Sequence, residues 1–203
     1  IGKCFEETIQ KGLRMLGQGA HGFVCNKAFR TEDLEYALSH PTDSRMFAIA
    51  AALESGYTPE KVCGLTKIDP WFIGKLANIE ATYRKLEKIG SLENLSSDVL
   101  VEAKKLGFAD IQISRVLGCK EKDTRDFRLK KGLRPFVKKI KTLDFGNGKE
   151  SNYLYLTYNS DRDDISFTDD RNTAIVLGSG AYRIGSSVEF DWCSVNALNT
   201  IRS

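Results

Sequence analysis

The residues best suited to handling chemistry lie near the C-terminal end, in Ala174-Ile-Val-Leu-Gly-Ser-Gly-Ala-Tyr-Arg-Ile-Gly-Ser-Ser-Val-Glu-Phe-Asp-Trp192. An apolar run, Ala174 to Leu177, gives way to Gly178 and Gly180. Ile184, Val188 and Trp192 then follow at helical spacing. A short buried strand turning on glycines into an amphipathic helix is the opening of a nucleotide-fold βα unit. Gly178 and Gly180 permit close backbone approach at the turn, and the free N–H groups of the following helix can hold an anion. A dinucleotide fingerprint requires a third small residue three positions after Gly180, where Arg183 stands instead. Arginine there suits a carboxylate or phosphate-like ligand better than a close-packed pyrophosphate.

Other chemical patterns fail on context. Gly17-Gln-Gly-Ala-His-Gly22 spells G-x-G-x-x-G, but it leaves an amphipathic helix, whereas a phosphate loop follows a strand. It reads as a loop whose glycines supply turn geometry. The two histidines, His21 and His40, have no metal or catalytic pattern around them and read as loop or surface residues. Glu6-Glu7 and Asp163-Asp164 are adjacent in sequence, which says nothing about convergence in space. There is no nucleophile elbow and no Walker A sequence. Cys4, Cys25, Cys63, Cys119 and Cys193 are odd in number and widely spaced, arguing against a disulfide framework or a zinc site and for a reducing compartment.

The elements that must position these residues are mostly helical. Phe5, Ile9, Leu13 and Leu16 repeat at helical spacing, with Gly17 as a stop. Thr31 can cap a helix carrying Leu34 and Leu38, and Asp43 or Ser44 opens one that carries Met46, Phe47, Ala50 and Leu53 and ends at Gly56. Thr58-Pro59 and Asp69-Pro70 each put a capping side chain just before a proline at the first helical position. The helix from Pro70 should be the longest, running through Ile79, Tyr83 and Leu86 to Gly90. Three short helices follow, closed at Gly107, Gly118 and Gly132. After Pro135 the pattern turns extended: Phe136, Val137 and Ile140 lead to a Gly146-Asn147-Gly148 turn, then Tyr153 to Tyr158 alternates β-favouring residues. Asn159 to Asp164 is a loop, and Ile165 to Phe167 a second short extended piece.

Charge and composition narrow the function. Hydrophobic residues make up 41% of the 203, enough to bury a core, and no apolar run approaches the about 20 residues that span a bilayer. Charges from Lys3 onward interrupt any signal-peptide pattern. The net charge of +3 is unevenly spread: Lys120 to Lys141 holds ten Lys and Arg, and Asp161, Asp163, Asp164, Asp169 and Asp170 follow. The basic block reads as a solvated helix face meeting acidic neighbours. The rival is a helix-turn-helix DNA-binding module centred on 97–134, with Arg125, Arg128 and Lys130 of its second helix on DNA.

The C-terminal stretch from Leu177 to Trp192 resembles the opening of the second synthetase half of the carbamoyl-phosphate synthase large subunit. Two further stretches resemble the same family in order. Ile1 to Arg14 is similar to the last helix of the first ATP-grasp half, and Thr66-Lys-Ile-Asp-Pro-Trp-Phe72 to the signature of the helical oligomerisation domain. The resemblance covers the whole chain and implies a piece from the middle of a longer eukaryotic-type polypeptide. Ser186-Ser187 stands where bacterial forms have Gln-Gly.

The fold it implies is mostly α. A helical oligomerisation-type domain with short extended segments is followed by the first βα unit of a Rossmann-like, pre-ATP-grasp subdomain. The implied domains are 1–27 (end of the first ATP-grasp half), 28–171 (helical linker) and 172–203 (start of the second half). The implied parent is a ligase making carbamoyl phosphate from bicarbonate, glutamine-derived ammonia and two ATP, with Mg or Mn and also K as ions. The fragment joins the two halves and mediates assembly, with no complete active site, cofactor or resident metal of its own. Its implied partners are the flanking ATP-grasp domains, a glutamine amidotransferase and a second copy of itself, and neither nucleic acid nor membrane. Arginine, urea and pyrimidine synthesis all remain open as the pathway, with Asn152 to Tyr158 leaning to the arginine/urea type. The implied location is the cytoplasm, or alternatively the mitochondrion. Gly178, Gly180 and Gly185 would shape the turn of the second-half entrance, and Arg183, Ser187 and Glu189 match positions facing the carbamate passage.

Overall fold

A computed structural model describes residues 1–26, 33–140, 153–167, 173–178 and 188–202. The chain divides into two units, Ile1–Ile165 and Ser166–Ser203. The first is helical: α1 (Phe5–Met15), α2 (Leu34–Ser39), α3 (Arg45–Glu54), α4 (Pro59–Thr66), α5 (Pro70–Ile89), α6 (Ser97–Lys105), α7 (Asp110–Leu117) and α8 (Glu121–Lys130). A two-stranded antiparallel ribbon follows, β1 (Phe136–Lys139) and β2 (Leu154–Thr157), with Phe136 opposite Thr157 and Lys139 opposite Leu154.

The starts of α2, α4, α5 and α6 are set by N-cap side chains that satisfy free backbone N–H groups. Thr58 and Asp69 accept from the N–H groups of Lys61 and Trp71, each with proline at the first helical position, as the sequence predicts. The cap of α2 is Asp33, which accepts from the Tyr36 N–H at 2.9 Å; Thr31 lies outside the described residues. Gly56, Gly90, Gly107, Gly118 and Gly132 all have positive φ at helix ends, as their spacing predicts.

Helix α5 is the spine of this unit. Its buried stripe is Ile73, Leu76, Ile79, Thr82 and Leu86, and it packs on α1, α3, α4, α6 and α7. Tyr83, expected on that stripe, is half-buried; Thr82 is buried instead, with its hydroxyl donating to Glu102 at 3.1 Å. Phe23, Leu38, Ile49, Leu100, Phe108 and Ile113 complete the core.

Helix α1 departs from the apolar expectation. Phe5, Ile9 and Leu13 are only half-buried and Leu16 is exposed, whereas Glu6, Glu7 and Gln10 are buried. Apolar groups tolerate partial exposure at the edge of a core. Buried polar groups must instead be placed where partners meet them.

In the second unit, α9 (Val188–Arg202) forms, but the buried strand expected at Ala174–Leu177 does not. Residues 173–178 have no strand pairing, and Ile175 and Leu177 are 83% and 86% exposed. A strand exists only through a neighbour that takes its backbone hydrogen bonds, and no described residue supplies them. Ile165 to Phe167 is likewise unpaired. The 146–148 turn lies outside the described residues.

Gly107 has φ +90°, and a Cβ there would come 2.8 Å from the Glu7 Cα. Gly118 has a similar φ, +68°, but opens onto empty space. Gly107→Ala should therefore cost about 3 kcal/mol, a left-handed penalty plus an overpacking term. Gly118→Ala should cost about 1 kcal/mol. Urea denaturation checks this, and equal losses would mean that α1 yields to the methyl group.

Candidate functional site

Three buried polar constellations hold α1, α6, α7, α8 and β2 together. The first centres on Glu7. Its carboxylate, 1% exposed, accepts from the Lys3 N–H at 2.8 Å, Lys11 Nζ at 2.6 Å, the Thr157 hydroxyl at 3.0 Å and Asn159 Nδ2 at 3.1 Å. Burial pushes Glu7 up, but these hydrogen bonds outweigh it and hold the carboxyl below its ordinary value. Asn159 also donates to the Lys105 carbonyl at 2.7 Å. The neighbouring Glu6 accepts from Asn78 at 2.9 Å and so ties α1 to α5.

The second is an amide and guanidinium seam one turn further along α1. Gln10 donates to the Leu106 carbonyl, and its Oε1 accepts from the Phe23 N–H at 3.1 Å and Gln112 Nε2 at 3.0 Å. Arg14 donates to the carbonyls of His21 and Gly107 and to Gln112 Oε1. Gly22 lies directly against the Gln10 and Gln112 side chains, where a Cβ would overlap both amides. The three glycines of the G-x-G-x-x-G spelling thus have structural work. Gly17 and Gly19 turn the chain at positive φ, and Gly22 lets the backbone approach the amide pair.

The third is ionic. Lys104 and Arg128, both buried, converge on Asp110 at 7% exposure. Lys104 Nζ donates to Asp110 and to the Phe108 carbonyl, each at 2.7 Å. Arg128 grips both Asp110 oxygens, at 2.9 Å and 3.2 Å, and donates to the Leu133 carbonyl. The Tyr158 ring lies 5.0 Å from the Lys104 ammonium and 5.8 Å from the Arg128 guanidinium. Burial lowers Lys104 to about 8 even though Asp110 opposes it. For Asp110, burial raises the carboxyl, but Arg128 and Lys104 win and hold it low.

This arrangement corrects the DNA-binding alternative. Arg128 is committed to Asp110 inside the protein and cannot meet a phosphate or a base. Arg125 lies 4.0 Å from both Asp110 and Glu121, and Lys122 pairs with Asp126 at 2.6 Å. The basic block does meet acidic neighbours, although at Arg128 the meeting is buried rather than solvated. Among the described residues no group of three His, Cys, Asp or Glu side chains could hold a metal ion, and no helix is long and apolar enough to cross a membrane. All five cysteines are unbridged, and burial raises the Cys4 thiol above its ordinary value, away from thiolate reactivity.

Of the second-half entrance residues, Gly178 is described. Its φ lies outside the left-handed region, and the nearest atom to a Cβ there would be Asp191 Oδ1 at 4.0 Å. The turn thus uses no positive φ at Gly178. Gly180, Arg183, Gly185 and Ser187 lie outside the described residues, and Glu189 falls within α9. Sequence reading missed Glu7, Gln10, Arg14, Lys104 and Gln112. A signal existed: Glu7, Gln10 and Arg14 repeat at helical spacing, a polar stripe overlooked beside the apolar one.

Removing one member of a buried ion pair costs more than the pair contributes, because its partner is left uncompensated. Asp110→Ala strands two cations and should cost about 3–5 kcal/mol. Lys104→Met leaves the Asp110–Arg128 fork intact and should cost about 1–2 kcal/mol through the Phe108 carbonyl. The unfolded chain keeps the Lys104 proton to its ordinary value of 10.5, whereas the folded chain releases it near 8. Between these values the unfolded state binds more protons, so this group makes stability rise with pH. Lys104→Met should lose that rise. Urea titrations at pH 7 and 9.5 test both points, and a Lys104→Met cost equal to that of Asp110→Ala would refute the ranking.

Comparison with known proteins places this architecture. Residues 1–132 match the profile of the carbamoyl-phosphate synthetase large chain, oligomerisation domain, and 170–203 that of the carbamoyl phosphate synthase preATP-grasp domain. The chain is 47% identical over 203 residues to the mitochondrial arginine-specific carbamoyl phosphate synthase large chain of Schizosaccharomyces pombe. It is 47% identical over 204 residues to the multifunctional protein URA2 of Saccharomyces cerevisiae, and 43% over 207 residues to the mitochondrial carbamoyl-phosphate synthase (ammonia) of Rattus norvegicus. All of this chain is covered in each alignment, but only 17%, 9% and 14% of the respective relatives. With more than half of its length, the helices α1 to α8, matched to the oligomerisation-domain profile, the chain belongs to the carbamoyl-phosphate synthetase large chain family.

Proposed function

We propose that this chain is the connecting piece of a ligase that makes carbamoyl phosphate from bicarbonate, glutamine-derived ammonia and two ATP. The observation that carries the reading is the order of the two family matches, oligomerisation domain and then preATP-grasp domain, within one continuous alignment. In this reading 1–27 closes the first ATP-grasp half, 28–171 links the halves and 172–203 opens the second. The break between compact units at Ile165 and Ser166, close to the proposed second boundary, supports that division. ATP and Mg or Mn, with K, would serve sites in the flanking ATP-grasp domains, and a glutamine amidotransferase would deliver ammonia. Mitochondrial relatives and multifunctional ones both align, so the reading includes either a mitochondrial or a cytoplasmic parent.

The role proposed for the helical unit is to hold its neighbours in fixed register. The buried seams around Glu7, Gln10 and Asp110 suit a rigid spacer, because fully satisfied polar networks admit few alternative packings. Trp71 and Phe72, in the stretch resembling the oligomerisation signature, are 55% and 44% exposed and meet the Phe5 ring edge-on and tilted, with centroids at 5.5 Å and 5.4 Å. An exposed aromatic group of this kind suits contact with a flanking domain or a second copy. Gly178, Gly180, Arg183, Gly185, Ser187 and Glu189 are proposed to border the carbamate passage into the second half.

The test uses the full-length parent carrying Ser187→Phe. A ring in a close-packed passage costs about 1–3 kcal/mol of strain and blocks transit. Bicarbonate-dependent ATP hydrolysis should persist, as should ATP formation from ADP and carbamoyl phosphate, while net carbamoyl-phosphate synthesis falls sharply. Unchanged synthesis would remove Ser187 from the passage, and equal loss of all three activities would indicate a misfolded βα unit.

A further inference from the structure

A cavity of about 340 Å³ is lined by the start of the chain, the ribbon and the Asp164 loop, all within the first compact unit. Its charged lining is one-sided: Lys3, Lys138, Lys139 and Arg162 against a single carboxylate, Asp164. Ile1, Ile140 and Tyr155 complete the wall.

The carboxylate is already spent. Asp164 Oδ1 pairs with Lys138 Nζ, Oδ2 accepts from the Lys139 N–H at 3.1 Å, and the Asp164 N–H donates to the Val137 carbonyl at 2.8 Å. Lys138 is buried and also donates to the Arg162 carbonyl at 3.4 Å, so it is a fixed cation in the floor. Lys3 and Arg162 are exposed at the rim, and neither its ammonium nor its guanidinium is bonded to another described residue. Two cations without a side-chain partner among the described residues thus line a cavity whose built-in anion is neutralised. The Tyr155 phenol adds a hydroxyl that can donate or accept.

We propose that this cavity is a binding site for a small phosphate-bearing molecule. Its volume lies at the lower end of ligand pockets, large enough for a phosphoryl group with a small substituent. Ile1 and Ile140 offer apolar contact to a substituent on the phosphoryl group, and the surplus positive charge attracts a dianion. Arg162 supplies the planar fork that matches two phosphoryl oxygens, and Lys3 a point charge for a third. Because β1, the Asp164 loop and the chain segment preceding α1 all contribute, an occupant would clamp the ribbon onto the first helix.

Inorganic pyrophosphate serves as the probe, titrated into the 203-residue chain by calorimetry at low ionic strength, with citrate in parallel. Saturable one-to-one pyrophosphate binding is expected at roughly 0.1–1 mM, weakening as salt rises. The double variant Lys3→Ala, Arg162→Ala should weaken it at least about tenfold, because both partners are exposed and their loss spares the fold. Lys122→Ala, which removes an exposed charge on α8, should leave binding unchanged. Circular dichroism of each variant checks folding, and hydrogen exchange of β1 and β2 should slow when pyrophosphate is added. Absent saturation in the folded protein would overturn the site, as would equal weakening by Lys122→Ala. Citrate binding as tight as pyrophosphate would overturn the phosphate assignment.

Discussion

A carboxylate removed from water must find donors for its lone pairs or give up its charge, and the fold of the first unit is arranged around meeting that demand at Glu7. Four donors reach it from different places: the backbone just before α1, the next turn of α1, the end of β2 and the loop beyond. Thr157 and Asn159 are some 150 residues from Glu7 in sequence, so the ribbon is anchored to the first helix by this carboxylate. The anchoring fixes the ribbon's register as well. A slip of one residue would turn Thr157 to the other face and leave a buried acceptor short of a partner.

The other two seams extend the same logic inward. Gln10 and Gln112 are fully buried and satisfy one another as well as the backbone of Leu106 and Phe23. Their closeness requires Gly22 and fixes the path of the loop leaving α1. Asp110 gathers Lys104 from α6 and Arg128 from α8, so three short helices with little apolar surface each are joined at one point. The apolar core along α5 supplies most of the driving force for folding. The polar seams decide which of several compact packings is adopted, because a wrong one would strand buried charge.

This division fits the proposed connecting role. Helices alone could pack in many registers, whereas a spacer has to hold one. The second unit has the opposite character: Ile175, Leu177 and Trp192 are at least 71% exposed. Ile175 and Leu177, on a segment patterned for a buried strand, gain stability only when neighbouring strands cover them.

Much of the first unit was legible in the sequence. The Thr58-Pro59 and Asp69-Pro70 starts, the long helix to Gly90 and the glycine closures at 107, 118 and 132 are local decisions, made by capping, proline geometry and the freedom of glycine at positive φ. The extended character of 136–139 and 154–157 was legible in their β-favouring residues, and the ladder that pairs them comes from the fold. What local pattern could not supply is which polar groups would be buried. Arg128 read as part of a solvated basic face and Glu7 only as half of an adjacent pair, because Asp110, Thr157 and Asn159, which hold them inside, are distant in sequence and arrive only when the chain has folded. The same reason explains the strand that did not form at Ala174–Leu177: hydrophobic patterning proposes a strand, but backbone hydrogen bonding to a neighbour creates it. Sequence thus determined the helices and where they stop, and tertiary structure alone decided which charges and amides are held inside, since that depends on groups far apart in sequence meeting in a space that excludes water.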